Sequence, residues 1–250
     1  MIELRECEKL YDYGPRENDR ERLGKGLFAT SLVIPDGQVV GLLGENGAGK
    51  STMLRACAGL VTLNSGAVLF DGAPPRQSYD RIAYVTGEGS YFPSMNAKDY
   101  EEFLARFFPR FDTRRYEKLL EFFEIDPLQK IQNMSTGQRA KVEVAAGMAK
   151  RARYLLMDEP FLGKDLFTRR DFLKLMAGSL HGEETILLAT HYVDEVEPFL
   201  DRAIVLHKGR VAADVEMDAL RASGSTLTET LQTATGYDPQ RYRNLFADEL

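Results

Sequence analysis

The chain has 250 residues, 44% of them hydrophobic, enough for a substantial core in one large domain or in one domain with a subdomain. Its formal net charge of -6, with no long basic block, argues against a surface built mainly to hold a nucleic-acid backbone. The apolar runs fall far short of the roughly 20 residues of a membrane-spanning helix, and the opening "MIELRECEKL" has no basic stretch leading into an apolar one, so neither a membrane span nor export is expected.

Cys7 and Cys57 match no ligand or redox spacing and read as buried thiols. The mixed-charge stretch "PRENDRERLGKG" (15–26) and the tail "YDPQRYRNLFADEL" read as solvated segments. Between them, apolar runs alternate with segments of helical period. The predicted strands are 31–35, 38–44, 82–85, 154–158, 185–190 and 203–207, an α/β pattern with a largely parallel, buried sheet. From about 96 to 150 the pattern turns helical. Tyr100, Phe103, Leu104, Phe107 and Phe108 fall on one helix face that Pro109 interrupts, and Leu119, Leu120 and Phe123 form a second face. Both read as core.

The middle four strands each end where a distinctive motif begins, and ligands of open α/β sheets bind beyond the carboxyl ends of strands. After "VVGLL" comes "GENGAGKST", Gly44 to Thr52, which fits the phosphate-cradling loop G-x-x-x-x-G-K-[ST]. Glycines at 44, 47 and 49 let backbone N–H groups close around phosphate oxygens, Lys50 supplies a point charge, and the Ser51 hydroxyl can ligate Mg²⁺. "YLLMDEP" ends an apolar strand in two carboxylates, Asp158 for a metal shell and Glu159 to polarise a water. "MSTGQ" places Ser135 at a helix start, as an ordinary N-cap or as an anion site made by the same free N–H groups. "ILLATH" ends a strand in His191, structural or functional.

In this order the four motifs resemble those of ATP-binding-cassette ATPases, the nucleotide-binding subunits of ABC transporters, over about residues 2–211. The "AKDYEEFLARFFPRFD" segment looks more like exporter-type relatives. The resemblance implies a P-loop NTPase core with a mostly parallel sheet, N-terminal antiparallel β elements and an inserted helical subdomain at about 96–150, within a domain spanning 1–222 and followed by a tail, 223–250. It implies ATP hydrolysis with Mg²⁺ and two cassettes packed head to tail as a homodimer. Gly44, Glu45, Asn46, Gly47, Ala48, Gly49, Lys50, Ser51 and Thr52 would hold ATP in one copy, while Ser135, Gly137 and Gln138 meet its γ-phosphate from the other. Glu159 resembles the catalytic carboxylate, with Lys50 beside the phosphates, and His191 the switch histidine. Gly163 and Asp165 match the loop that communicates across the dimer, and Tyr11 or Tyr13 would stack on adenine.

Two positions depart from the family pattern. Thr136 replaces the first glycine of the common LSGGQ, and Gly87 stands where a metal-ligating glutamine is usual, which leaves Glu88 beside it as a candidate third ligand after Ser51 and Asp158. The implied partners are a second cassette and a separate transmembrane permease, with no nucleic acid, and the implied place is the cytoplasm, on the inner face of the cell membrane. The competing readings are a soluble ATPase of this type that remodels a protein or nucleic-acid assembly, and a non-hydrolysing ATP switch, against which Glu159 and His191 argue.

Overall fold

Three runs that are apolar at nearly every position become strands covered on both faces. In the computed structural model, which describes residues 1–11, 26–87, 89–160, 172–176, 178 and 184–237, these are β3 (Val39–Leu43), β6 (Tyr154–Asp158) and β7 (Thr185–Thr190), buried throughout. Their alternate residues feed two cores. Val39, Leu43, Leu155, Met157, Ile186 and Leu188 face one, and Val40, Leu42, Tyr154, Leu156, Leu187 and Ala189 the other. With β5 (Ile82–Thr86), β8 (Arg202–His207) and β9 (Arg210–Glu216) they make a six-stranded sheet of order β5-β6-β7-β3-β8-β9, parallel except for β9.

The second core lies under α1 (Lys50–Cys57) and a three-stranded antiparallel sheet of order β2-β1-β4, made of β1 (Ile2–Leu10), β2 (Gly26–Ile34) and β4 (Ser65–Phe70). Cys7 and Cys57 are buried there as free thiols, as expected, and burial pushes the Cys57 thiol up to about 12.

The first core lies under α2 (Ala97–Phe107), α3 (Thr113–Phe122) and α4 (Thr136–Ala149). Asn96 and Asp99 form a capping box at the start of α2, and the helix stops at Phe107 because Phe108, before Pro109, adopts an extended backbone. The expected core face of α2 is only partly core. Tyr100 and Leu104 are buried, Phe103 and Phe108 pack at its edge, and Phe107 is 65% exposed. Phe92, Phe103 and Phe107 instead form a ladder of ring contacts along the surface, with centroids 5.7 and 4.8 Å apart. Leu119 and Leu120 on α3 and Phe123 at its C-cap are buried as the pattern predicts.

The chain then adds α5 (Val193–Val196), α6 (Met217–Ser223) and α7 (Leu227–Thr235). The division expected at 222 falls inside α6, and Leu227 beyond it is fully buried with Met217 and Leu220 in the first core. No helix among the described residues is long and apolar enough to cross a membrane. Residues 12–25 and 238–250 lie outside the described residues, as do the expected site positions Tyr13, Glu88, Gly163 and Asp165.

Candidate active site

Strand β3 delivers the chain to the loop 44–49, and α1 begins at Lys50 with Gly49 as its N-cap. No side chain among the described residues caps this helix and no acid sits in its first turn, so its leading N–H groups and positive dipole end are left for an anionic ligand. The loop needs glycine at its two ends. Gly44 and Gly49 have φ of +146° and +108°, and a Cβ at either would lie 2.3 Å from the Leu206 carbonyl oxygen or 2.7 Å from that of Gly26. A cavity of about 310 Å³ opens beside this loop, lined by Asn46, Lys50, Ser51 and Thr52 and closed by Tyr11 and Glu159. Of the expected loop residues, Gly44, Glu45 and Ala48 do not line it. They shape the turn, the Ala48 N–H donating to the Glu45 carbonyl at 3.1 Å.

Lys50 is 5% exposed, and its Nζ donates to the carbonyls of Gly44 (2.8 Å) and Glu45 (3.1 Å). Burial pulls its pKa below the usual lysine value, and the nearby carboxylates of Glu159 and Asp158 pull it back. The loop carbonyls thus hold an ammonium ready to turn towards phosphate oxygens.

Asp158 ends β6 on the α1 side of the sheet. The Ser51 hydroxyl donates to its Oδ1 at 2.8 Å and the Tyr84 hydroxyl to its Oδ2 at 3.1 Å. Burial, then the Asp158 charge, pushes the Tyr84 phenol up to about 12, so it remains a donor. Tyr84 is the site residue that the sequence reading misses. It follows only from the pairing of β5 with β6, which brings Thr86 opposite Asp158.

Glu159 leaves the strand in a left-handed conformation (φ +46°), its N–H donating to the Ala189 carbonyl of β7 at 2.9 Å. This turn sends its side chain away from Asp158 and towards Lys50 and His191. Glu159 Oε1 lies 3.0 Å from His191 Nδ1 and 3.9 Å from Lys50 Nζ, while Oε2 is buried with no hydrogen-bond partner among the described residues. A carboxylate only accepts, so His191 Nδ1 carries the proton of this bond. The Tyr192 ring, 4.1 Å from that of His191 by centroids, steadies the imidazole.

Ser135 caps α4. Its Oγ accepts the Gln138 N–H at 3.2 Å, and its own N–H donates to Gln138 Oε1 at 2.9 Å. Ser135 and Thr136 are exposed, Gly137 and Gln138 half-buried, and none of the four lines the cavity at the phosphate loop. Within one chain the structure therefore brings together Lys50, Ser51, Asp158, Glu159, His191 and Tyr11, and leaves the α4 start apart. No group of three or more His, Cys, Asp or Glu side chains among the described residues is arranged to hold a metal. The adjacent Ser51 hydroxyl and Asp158 carboxylate nonetheless fit Mg²⁺, which usually takes one or two protein ligands and fills its octahedron with water and phosphate oxygens.

A family model described as ABC transporter matches residues 27–162. The ABC transporter ATP-binding protein YtrB of Bacillus subtilis (strain 168) is 30% identical over 225 residues, covering 88% of this chain and 74% of the relative. The ABC transporter ATP-binding protein NatA of the same organism is 30% identical over 233 residues, covering 89% and 92%. Among solved structures, an ATP-binding subunit of an ABC transporter superposes with a TM-score of 0.79 at 24% identity, covering 93% of this chain and 98% of that one. A dimeric post-hydrolysis state of the ATP-binding cassette MJ0796 bound to ADP and Pi gives 0.75 at 22%, covering 87% and 99%, so the fold is shared.

Proposed function

The chain belongs to the ABC transporter family of ATP-binding cassettes, and from that premise we propose that it binds ATP at the loop 44–52 and hydrolyses it to power transport through a separate membrane-spanning subunit. The observation that carries this reading is the Glu159 carboxylate, fixed by His191 and Lys50 at the wall of the phosphate-loop cavity with its Oε2 unpartnered among the described residues.

The triphosphate lies along the N–H groups of the loop and of the first turn of α1, and Lys50 exchanges its carbonyl partners for the terminal phosphate oxygens. Tyr11, at the edge of the cavity, supplies the face for adenine. A water accepted by Glu159 Oε2 attacks the γ-phosphorus. The bond from that phosphorus to the β–γ bridging oxygen breaks, the water's proton passes to Glu159, and ADP and phosphate leave. His191 keeps the carboxylate turned towards that water. Ser51 and Asp158 are the residues that would hold Mg²⁺, with Glu88 a candidate third ligand, and the ion when bound offsets phosphate charge. Tyr84 orients Asp158 for that role.

Because the α4 start stands apart from the cavity, Ser135, Gly137 and Gln138 serve the site of a second copy, so that two equivalent sites form in a homodimer. Asp165 belongs to the contact between the copies. The permease places the pair on the inner face of the membrane. Phosphate release from ATP by the purified chain tests the reading. Turnover by the wild type and its loss in Glu159→Gln are expected, and a Glu159→Gln variant as fast as wild type contradicts it.

A further inference from the structure

Ser135, Arg139, Glu143 and Gly147 follow at intervals of four along α4 and so share one side of the helix. That side tracks β5 and the loop after it. Gly147 meets Val85, whose Cγ2 would lie 2.2 Å from a Cβ at this position, so only glycine lets the helix rest this closely on the strand. One turn nearer the helix start is Glu143, 2% exposed. Its Oε2 accepts the Ser90 N–H at 3.1 Å and the Tyr100 hydroxyl at 3.3 Å, and its Oε1 accepts the Ser90 hydroxyl. A turn nearer the start again is Arg139: burial raises the pKa of the Tyr91 phenol, and the nearby Arg139 guanidinium lowers it. The stripe ends at the Ser135–Gln138 capping box.

A carboxylate this deep in the protein is tolerated only while its acceptors are occupied. Glu143 uses three donors from two other elements, the loop after β5 and α2, and the loop supplies two of them. The buried Lys150, two turns towards the helix end, has a pKa that burial pulls down and Glu143 pulls up, and it lies 4.4 Å from the Phe108 ring centroid. Parting the loop from α4 would leave the charge buried and short of donors, so the two move as one body. The other end of that body is Thr86, paired with Asp158 at the phosphate loop.

We propose that Glu143 is a positioning residue that fixes the start of α4 to the loop after β5, so that the state of the site at Asp158 sets the angle at which Ser135 is presented to the second copy. The inference rests on the dimer of the proposed function. The test uses the full chain carrying Glu159→Gln, with ATP and Mg²⁺, and reads two quantities: ATP affinity of the monomer, and the dimerisation constant by sedimentation. Ser90→Ala and Glu143→Ala are expected to weaken dimerisation about tenfold while monomer ATP affinity stays within about twofold, the scale of coupling between residues in one hydrogen-bond network. Glu143→Gln keeps an acceptor at Oε2 and is expected to retain dimerisation within about threefold of the parent. If Glu143→Ala does not fold, Ser90→Ala, which removes only a hydroxyl, decides alone. An unchanged dimerisation constant in Ser90→Ala, or an equal fall in ATP affinity, overturns the inference and leaves the proposed function standing. Failure of the Glu159→Gln parent to dimerise overturns both.

Discussion

The imidazole of His191 and the carboxylate of Glu159 meet at 3.0 Å although 32 residues separate them, because β6 and β7 are parallel neighbours that end side by side. The bond occupies Oε1 and leaves Oε2 for water. His191→Ala should therefore lower ATP turnover about a hundredfold, within the range of general-base effects, with little change in ATP affinity. Steady-state kinetics alongside equilibrium binding checks this. An equal loss in both would make His191 a binding residue only.

Lys50 sits in a cage of two carbonyls, and burial pulls its pKa below the usual lysine value. Removing it leaves the phosphates without their cation. Lys50→Ala should weaken ATP binding about 10- to 100-fold, the range of one or two charge-assisted hydrogen bonds. Lys50→Arg should not restore it, since a planar fork does not fit between the Gly44 and Glu45 carbonyls. Calorimetric titration with ATP measures both.

Tyr84 holds the second oxygen of Asp158. Tyr84→Phe keeps the ring and removes that bond, so the Mg²⁺ concentration for half-maximal turnover should rise about tenfold, as for other supports of a metal ligand. Thermal stability should change little. An unchanged Mg²⁺ dependence would take Tyr84 out of the site.

Asp112 caps α3 through the Arg115 N–H and pairs with Arg151 at 2.8 Å. These bonds, the cap first, hold its carboxyl below the usual aspartate range. A lowered folded value stabilises the protein above the unfolded pKa of about 4, and that share disappears as pH falls through the folded value. Asp112→Asn keeps a cap and loses the charge, so it should cost under about 1 kcal/mol at neutral pH, the pair being screened by solvent. Urea unfolding should show that difference vanishing as pH falls below the folded value, where both states are protonated.

What could be read from the sequence depended on whether a feature is local. Strands β3, β6 and β7 are covered on both faces and announce themselves as unbroken apolar runs. β1 does not. Its pairing slips between Leu4 and Cys7, with Glu6 at φ +46°, so the buried residues 2, 4 and 7 break the alternation that marks a strand. β9 is an edge strand with no fully buried residue, and only the last three positions of β4 carry apolar burial.

The site divides in the same way. The loop 44–52, the carboxylates at the end of β6 and the S-x-x-Q cap at Ser135 are each written within a few residues and keep the places expected of them. The Tyr84–Asp158 and Ser90–Glu143 contacts depend on strand order and on the packing of α4 over β5, which no short window contains. The exposure of Phe107 is hidden for a related reason. Its spacing puts it beside Leu104, but α2 turns that edge outward.

On the proposed function, one chain holds half of each catalytic site. Sedimentation of Glu159→Gln at micromolar concentration, with and without ATP and Mg²⁺, tests it most directly. A monomer is expected without nucleotide and, with ATP, a stable dimer holding two ATP molecules. A variant that binds ATP yet stays monomeric at every concentration would contradict it.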